Sequence, residues 1–276
     1  LYWRVFGGFS AGSSLSSTAV VSLEIRSLTK RYRGLNVVDH VNFTLQAGMV
    51  TGYLGPNGSG KSTTVKMLTG LVEPTSGDIL LEGIDIRRDF DAFKQRLGYV
   101  PEEAHVYPSL TAMEYLQLVG RLRGMPESLL NRRSGDLLTL FGLHLRRHSL
   151  LAAYSKGMRQ RVLISAALLH DPDILIFDEP LSGLDVSSIL LFKSLVAELA
   201  ARGKIILYIS HVLEIVERIC GKVIIIYKGK IMAEEQVSQL RNVMNLPSLE
   251  AVFNQLVEQQ DMEKIARDIA DAIRVG

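Results

Sequence analysis

The chain has 276 residues and a mass of 30.6 kDa, enough to bury a sizeable core as one large domain or two small ones. Its 47% hydrophobic and 22% charged content excludes a disordered chain, and 31 Lys plus Arg against 29 Asp plus Glu leave a net charge of +2, no surplus for general phosphate-backbone binding. The single cysteine, Cys220, excludes an internal disulfide, and no apolar run approaches the roughly 18 residues of a membrane span.

Residues 1–20 carry one charge, Arg4, and a Gly/Ser-rich middle. They read as a leader outside the fold: a cloning remnant, a disordered tail, or the end of a targeting or membrane segment. Alternation in VVSLEIRSL predicts a half-buried strand from about residue 20, and VNFTLQ predicts a second after a turn at Gly34. MVTGYLG predicts an apolar strand running into GPNGSGKST, after which Val65, Leu68, Leu71 and Val72 fall at helical spacings. Residues 79–97 are mixed and turn-rich, and LGYVPEE predicts a strand closed by Pro101. Residues 111–169 are helical in pattern, with breaks at Gly124-Met125-Pro126 and at Gly142. DILIFDEP predicts a strand, SSILLFKSLVAELA an amphipathic helix with Ile189, Phe192, Val196 and Leu199 on one face, and KIILYIS a further strand. GKVIIIYKGKIM predicts two short strands or one bent strand. Beyond Pro247, a helical stripe of Leu249, Val252, Phe253, Leu256 and Val257 is followed by Ile265, Ile269 and Ile273. Strands alternating with helices predict an α/β sheet covered on both faces and interrupted by a helical lobe.

GPNGSGKST fits the pattern G-x-x-x-x-G-K-S between a strand and a helix, and makes Gly55, Asn57, Gly58, Ser59, Gly60, Lys61, Ser62 and Thr63 candidate phosphate contacts. Glycines let backbone N–H groups converge on phosphate oxygens, Lys61 reaches the terminal phosphates, and Ser62 can ligate magnesium from the first helical turn. ILIFDEP sets Asp178 and Glu179 directly after a buried strand. There Asp178 can hold magnesium and Glu179 can polarise an attacking water, or the pair is an ordinary acidic turn. Ser155-Lys156-Gly157 before VLISAALL offers anion-binding geometry at a helix N-terminus, or a simple N-cap. His105, His144, His148 and His170 lack convincing metal-ligand spacing and read as structural or solvent-facing.

The phosphate loop, YSKGMRQR, ILIFDEP, SGLD and His211, in this order and spacing, resemble the ATP-binding cassette ATPases that power membrane transporters. The resemblance covers roughly residues 21–233. It implies a P-loop NTPase core of RecA-like type, with an all-helical subdomain inserted at about 103–168 and a small antiparallel β subdomain; beyond it, the helical stripes make residues 234–276 a C-terminal helical extension. It also implies ATP and Mg2+ as ligands, and head-to-tail dimers that sandwich two ATP molecules. Ser155 and Gly157 would then touch the γ-phosphate held by the other subunit, and residues 182–185, Asp185 among them, would link the two sites. His211 resembles the histidine that contacts the γ-phosphate and orients the catalytic glutamate and water, and Tyr32 resembles the aromatic that stacks on adenine. Asp178, Ser62 and Glu102 stand where the family holds its metal.

Two positions depart from the family pattern. Glu102 stands where glutamine is common, so a carboxylate can still ligate metal but adds charge to an anionic site. YSKGM replaces LSGGQ and brings in Lys156. PEE together with YSKGMRQR resembles the exporter-type subgroup. The implied partners are a second ATP-binding subunit, identical or a close paralogue, and integral membrane permease subunits, with no nucleic acid. The implied location is the cytoplasmic face of the membrane, reached through the permease. The competing expectation is a non-transport ATPase of the same type, switching a macromolecular complex.

Overall fold

The computed structural model describes residues 21–239 apart from Ala104. The expected leader and the stripes of 249–273 lie outside the described residues. β1 (Ser22–Tyr32) alternates as far as Ile25; Ser27 then takes a φ of 45°, and past this irregularity Leu28 turns inward beside Leu23 and Ile25. β2 (Leu35–Gln46) begins well before the expected VNFTLQ because Tyr32, Arg31 and Lys30 pair with Leu35, Asn36 and Val38. That ladder is a property of the partner strand, which a local pattern does not display.

β3 (Val50–Leu54) runs through the phosphate loop into α1 (Lys61–Leu68). The helix stops at Leu68 instead of continuing through Val72. Gly70 follows with a φ of 72°, packed against the Phe90 ring so closely that a Cβ would collide, and Leu71 is left 65% exposed. The turn-rich stretch contains β4 (Ser76–Leu81), β5 (Ile84–Asp85) and α2 (Phe90–Gln95), followed by β6 (Leu97–Val100). The helical lobe holds α3 (Ala112–Leu122), α4 (Glu127–Leu140) and α5 (Lys156–Leu168), with Gly124 at φ 68° and Gly142 at φ 70° marking the breaks. A reciprocal Thr111–Glu114 capping box opens α3. The chain then gives β7 (Ile174–Asp178), α6 (Val186–Ala201), β8 (Ile205–Ile209), α7 (Leu213–Ile219), β9 (Lys222–Tyr227) and β10 (Lys230–Gln236). β9 and β10 pair antiparallel, and β10 carries the fold past Ala233, so the expected cassette limit falls inside a strand.

Two sheets result, an antiparallel one in the order β2-β1-β4-β5 and a larger one in the order β10-β9-β3-β8-β7-β6. Neighbours from β9 to β6 pair parallel. Every residue of β3, β7 and β8 is buried, as parallel strands covered on both faces require. One face shares a core with the antiparallel sheet, α1 and α2; the other packs on α5, α6 and α7. On α6 the expected stripe is inward, with Phe192 and Val196 buried. The lobe has its own core around Leu116, Leu130 and Leu151.

Register decides where the chemistry sits. Val100 pairs with Phe177, Phe177 with Tyr208, Asp178 with Ile209, and Ile209 with Tyr53. The carboxyl ends of β6, β7, β8 and β3 therefore stop at one level, the edge where open α/β sheets bind ligands. α7, which follows His211, lies against β3 at Gly52, where a Cβ would stand 2.8 Å from Val216 Cγ1. Gly52→Ala is expected to lower stability by about 1–3 kcal/mol. Urea unfolding checks this, and an unchanged midpoint would show that α7 is not held at this contact.

Candidate functional site

The phosphate loop is shaped by its glycines. Gly58 and Gly60 adopt φ values of 78° and 109°, and a Cβ on Gly55 would collide with the Ile226 carbonyl. The loop is tied from below, where Gly229 N–H donates to the Ser59 carbonyl at 2.9 Å. Ser59 is buried, its hydroxyl has no hydrogen-bond partner among the described residues, and it is not among the residues that line the cleft. α1 begins at Lys61 without a side-chain cap, so the first N–H groups, those of Lys61, Ser62 and Thr63, lack an intrahelical acceptor.

One cleft is lined by Val37, Asn57, Gly58, Gly60, Lys61, Ser62, Thr63, Glu102, Asp178, Glu179 and His211. Gly55 joins Glu102 and His211 in the adjoining recess. The Lys61 amine donates to the carbonyls of Gly55 at 2.6 Å and Pro56 at 3.0 Å. Burial pulls its pKa down, against the opposing pull of Glu179, Asp178 and Glu102. Asp178 is 6% exposed, and burial, reinforced by Glu102 and Glu179, pushes its carboxyl up to about 6 despite Lys61 and Lys66.

Glu179 sits in the left-handed region at φ 46°, its N–H bonded to the Ile209 carbonyl at 3.0 Å. Its Oε1 accepts the His211 backbone N–H at 2.8 Å and faces His211 Nδ1 at 2.7 Å. Its Oε2 accepts the Ser210 hydroxyl at 3.1 Å. The carboxylate is thus only 14% exposed and held on both oxygens, while the His211 ring is 72% exposed. This arrangement can hold a carboxylate and an imidazole beside a phosphate bound at the loop, with water entering past the exposed ring.

The remaining expected contacts lie elsewhere. Tyr32, 44% exposed at the hairpin end of β1, does not line the cleft, and the Lys30 amine sits 5.2 Å from its ring centroid. Ser155 caps α5 by accepting the Met158 N–H at 3.2 Å. Gly157 is buried against Gly183. Asp185 caps α6, where the Ser188 N–H holds its carboxyl below the usual range. None of these three lines the cleft. His170 is structural: its Nε2 lies 3.1 Å from the Leu97 carbonyl, and burial pushes its pKa down to about 4. His105 pairs with exposed Glu103, and His144 faces Thr139 and Arg147. Arg161 braces the lobe through the Phe141 carbonyl. Val37, which lines the cleft, and Ser210, which lines the adjoining recess and bonds Glu179, escaped the sequence reading. Ser210 is the polar end of KIILYIS and could have been singled out; Val37 arrives from the distant β2 and leaves no local signal.

Residues 38–182 match the family described as ABC transporter. The chain is 35% identical over 246 residues to the ABC transporter ATP-binding protein NatA of Bacillus subtilis, covering 89% of this chain and 97% of that one. It is 37% identical to the linearmycin resistance ATP-binding protein LnrL of the same species, covering 76% and 68%, and 36% identical to Nod factor export ATP-binding protein I of Ralstonia nicotianae, covering 83% and 71%. A solved structure described as the ATP binding subunit of an ABC transporter superposes with a TM-score of 0.80 at 34% identity, over 85% of this chain and 98% of that one.

The raised pKa of Asp178 fixes the sign of a stability effect. Between its ordinary value of 3.8 and about 6 the folded chain holds a proton that the unfolded chain releases, so stability falls as pH rises through that window and stays lower above it. In metal-free buffer at pH 7.5, Asp178→Asn is therefore expected to stabilise the protein by roughly 1–3 kcal/mol, with the gain vanishing near pH 4. Urea unfolding at the two pH values checks this; no gain at pH 7.5 would contradict it.

Proposed function

We propose, from the premise that this chain belongs to the ABC transporter ATP-binding proteins, ATPase subunits that work with transmembrane permeases, specific roles for the residues of its cleft. The N–H groups of the loop and α1, with Lys61, hold the β- and γ-phosphates of ATP. Glu179 takes a proton from the attacking water, and His211 orients Glu179 and contacts the γ-phosphate. The observation that carries this reading is the shared level of four strand ends, which brings Glu102, Asp178, Glu179 and His211 around one glycine loop.

Magnesium fits the donor set. Ser62, Asp178 and Glu102 are hard oxygen donors, and Asp178 is a buried carboxylate that its surroundings leave short of positive charge. Among the described residues no three His, Cys, Asp or Glu side chains stand together as an ion site. When bound, Mg2+ would supply charge neutralisation at the phosphates. Glu102 in place of glutamine would bring a second carboxylate to that ion.

Ser155, Gly157 and Asp185 belong to a second half-site. They lie away from the cleft in the single chain, so a second copy or paralogue placed head to tail would supply them to it. Tyr32 would receive adenine on the ring face that Lys30 leaves open. The subunit would attach to the membrane through its permease: no helix among the described residues is long and apolar enough to cross a bilayer. Export is the direction we favour, because relatives include a Nod factor export protein and a linearmycin resistance protein. Glu179→Gln is expected to slow single-turnover ATP hydrolysis by about a hundredfold or more while leaving ATP binding intact. Wild-type turnover in that variant would remove Glu179 from the role of base.

A further inference from the structure

The turn that opens α5 and the loop that follows Glu179 are fastened to each other within one chain. The Lys156 amine donates to Ser182 Oγ at 2.6 Å. Its aliphatic stem crosses Gly183, whose Cβ, were there one, would stand 3.1 Å from Lys156 Cγ and Cδ. Gly183 adopts a φ of 79°, and a Cβ on Gly157 would collide with the Gly183 carbonyl, so both loops use glycine to approach this closely. Ser182 in turn donates its N–H to the Glu179 carbonyl at 3.2 Å, and Glu179 holds both the backbone and the ring of His211. A continuous path of short contacts therefore runs from Gly157 through Lys156 and Ser182 to the main chain of the residue assigned as base. This path needs a lysine where the family's common signature has glycine.

We propose that Lys156 is a positioning residue that latches the turn carrying Ser155 and Gly157 to the loop behind Glu179, so that phosphate engaged at that turn for one site sets the general base of the other. The inference rests on the two-chain reading above for its cross-site half, while the latch itself belongs to the single chain. A charged donor on a hydroxyl, part-exposed as here, contributes modestly, and its value lies in restricting two loops to one arrangement. Lys156→Met keeps the stem on Gly183 and removes the amine; Ser182→Ala removes the acceptor.

Two measurements test the proposal. Amide hydrogen exchange of residues 183–185 in the nucleotide-free chain is expected to rise about threefold or more in K156M and in S182A, and to return toward wild type in K156R. Unchanged exchange would overturn the latch. Single-turnover hydrolysis at saturating MgATP is expected to fall about three- to tenfold in either variant, with the half-saturating ATP concentration unchanged and no further loss in the double variant. Costs that add, or a loss confined to ATP affinity, would overturn it by showing independent roles or direct phosphate contact by Lys156. Sedimentation of Glu179→Gln with MgATP separates the two readings. A dimer upholds the cross-site half, whereas a persistent monomer overturns that half and leaves the exchange result to decide the latch.

Discussion

Three carboxylates and one lysine share the cleft, and the structure depends on that imbalance. Asp178 is buried at the end of β7, Glu179 follows it, and Glu102 lines the same cleft, while Lys61 and Lys66 supply the opposing positive charge and the Lys61 amine is turned onto its own loop. A fold left to itself avoids such an arrangement, because burial disfavours a charged carboxylate and each neighbour raises the cost. On the proposed reading, this electrostatically incomplete cleft would be completed by a cation. Phosphate would add negative charge there, against which the loop N–H groups and Lys61 are the donors the chain itself supplies.

The sheet makes this placement possible. Parallel strands buried on both faces are stiff, and their register sets the four strand ends to one level without contribution from the loops. Residues that leave those ends are then held by short local contacts: the φ of 46° at Glu179, its bonds to Ser210 and His211, and the glycine conformations of the phosphate loop. α7 rests on Gly52, so the helix after His211 is placed by the same strand that delivers the loop.

Much of this was legible in the sequence. The phosphate loop, the DE pair and the α/β alternation are written in local residue order, because strand, glycine turn and helix each have a period or a steric signature. What was not legible depends on partners distant in the chain. The early start of β2 depends on β1, the arrest of α1 at Leu68 on room for the Phe90 ring, and the tether of the phosphate loop at the Ser59 carbonyl on Gly229. The position of Val37 at the cleft is of the same kind. His211, ambiguous by itself as a histidine after a strand, is fixed by Glu179 across the sheet.

The imbalance at Asp178 has a direct thermodynamic signature. If the cleft is completed by a cation, MgATP binding forces a carboxyl with a pKa of about 6 to ionise and release its proton. Calorimetric titration of MgATP at pH 6, repeated in two buffers of different ionisation enthalpy, reads that release. The expected result is about half a proton released per site in the wild type and none in Asp178→Asn. No release in the wild type, or the same release in both, would contradict the assignment of Asp178 as the buried carboxylate that waits for the metal.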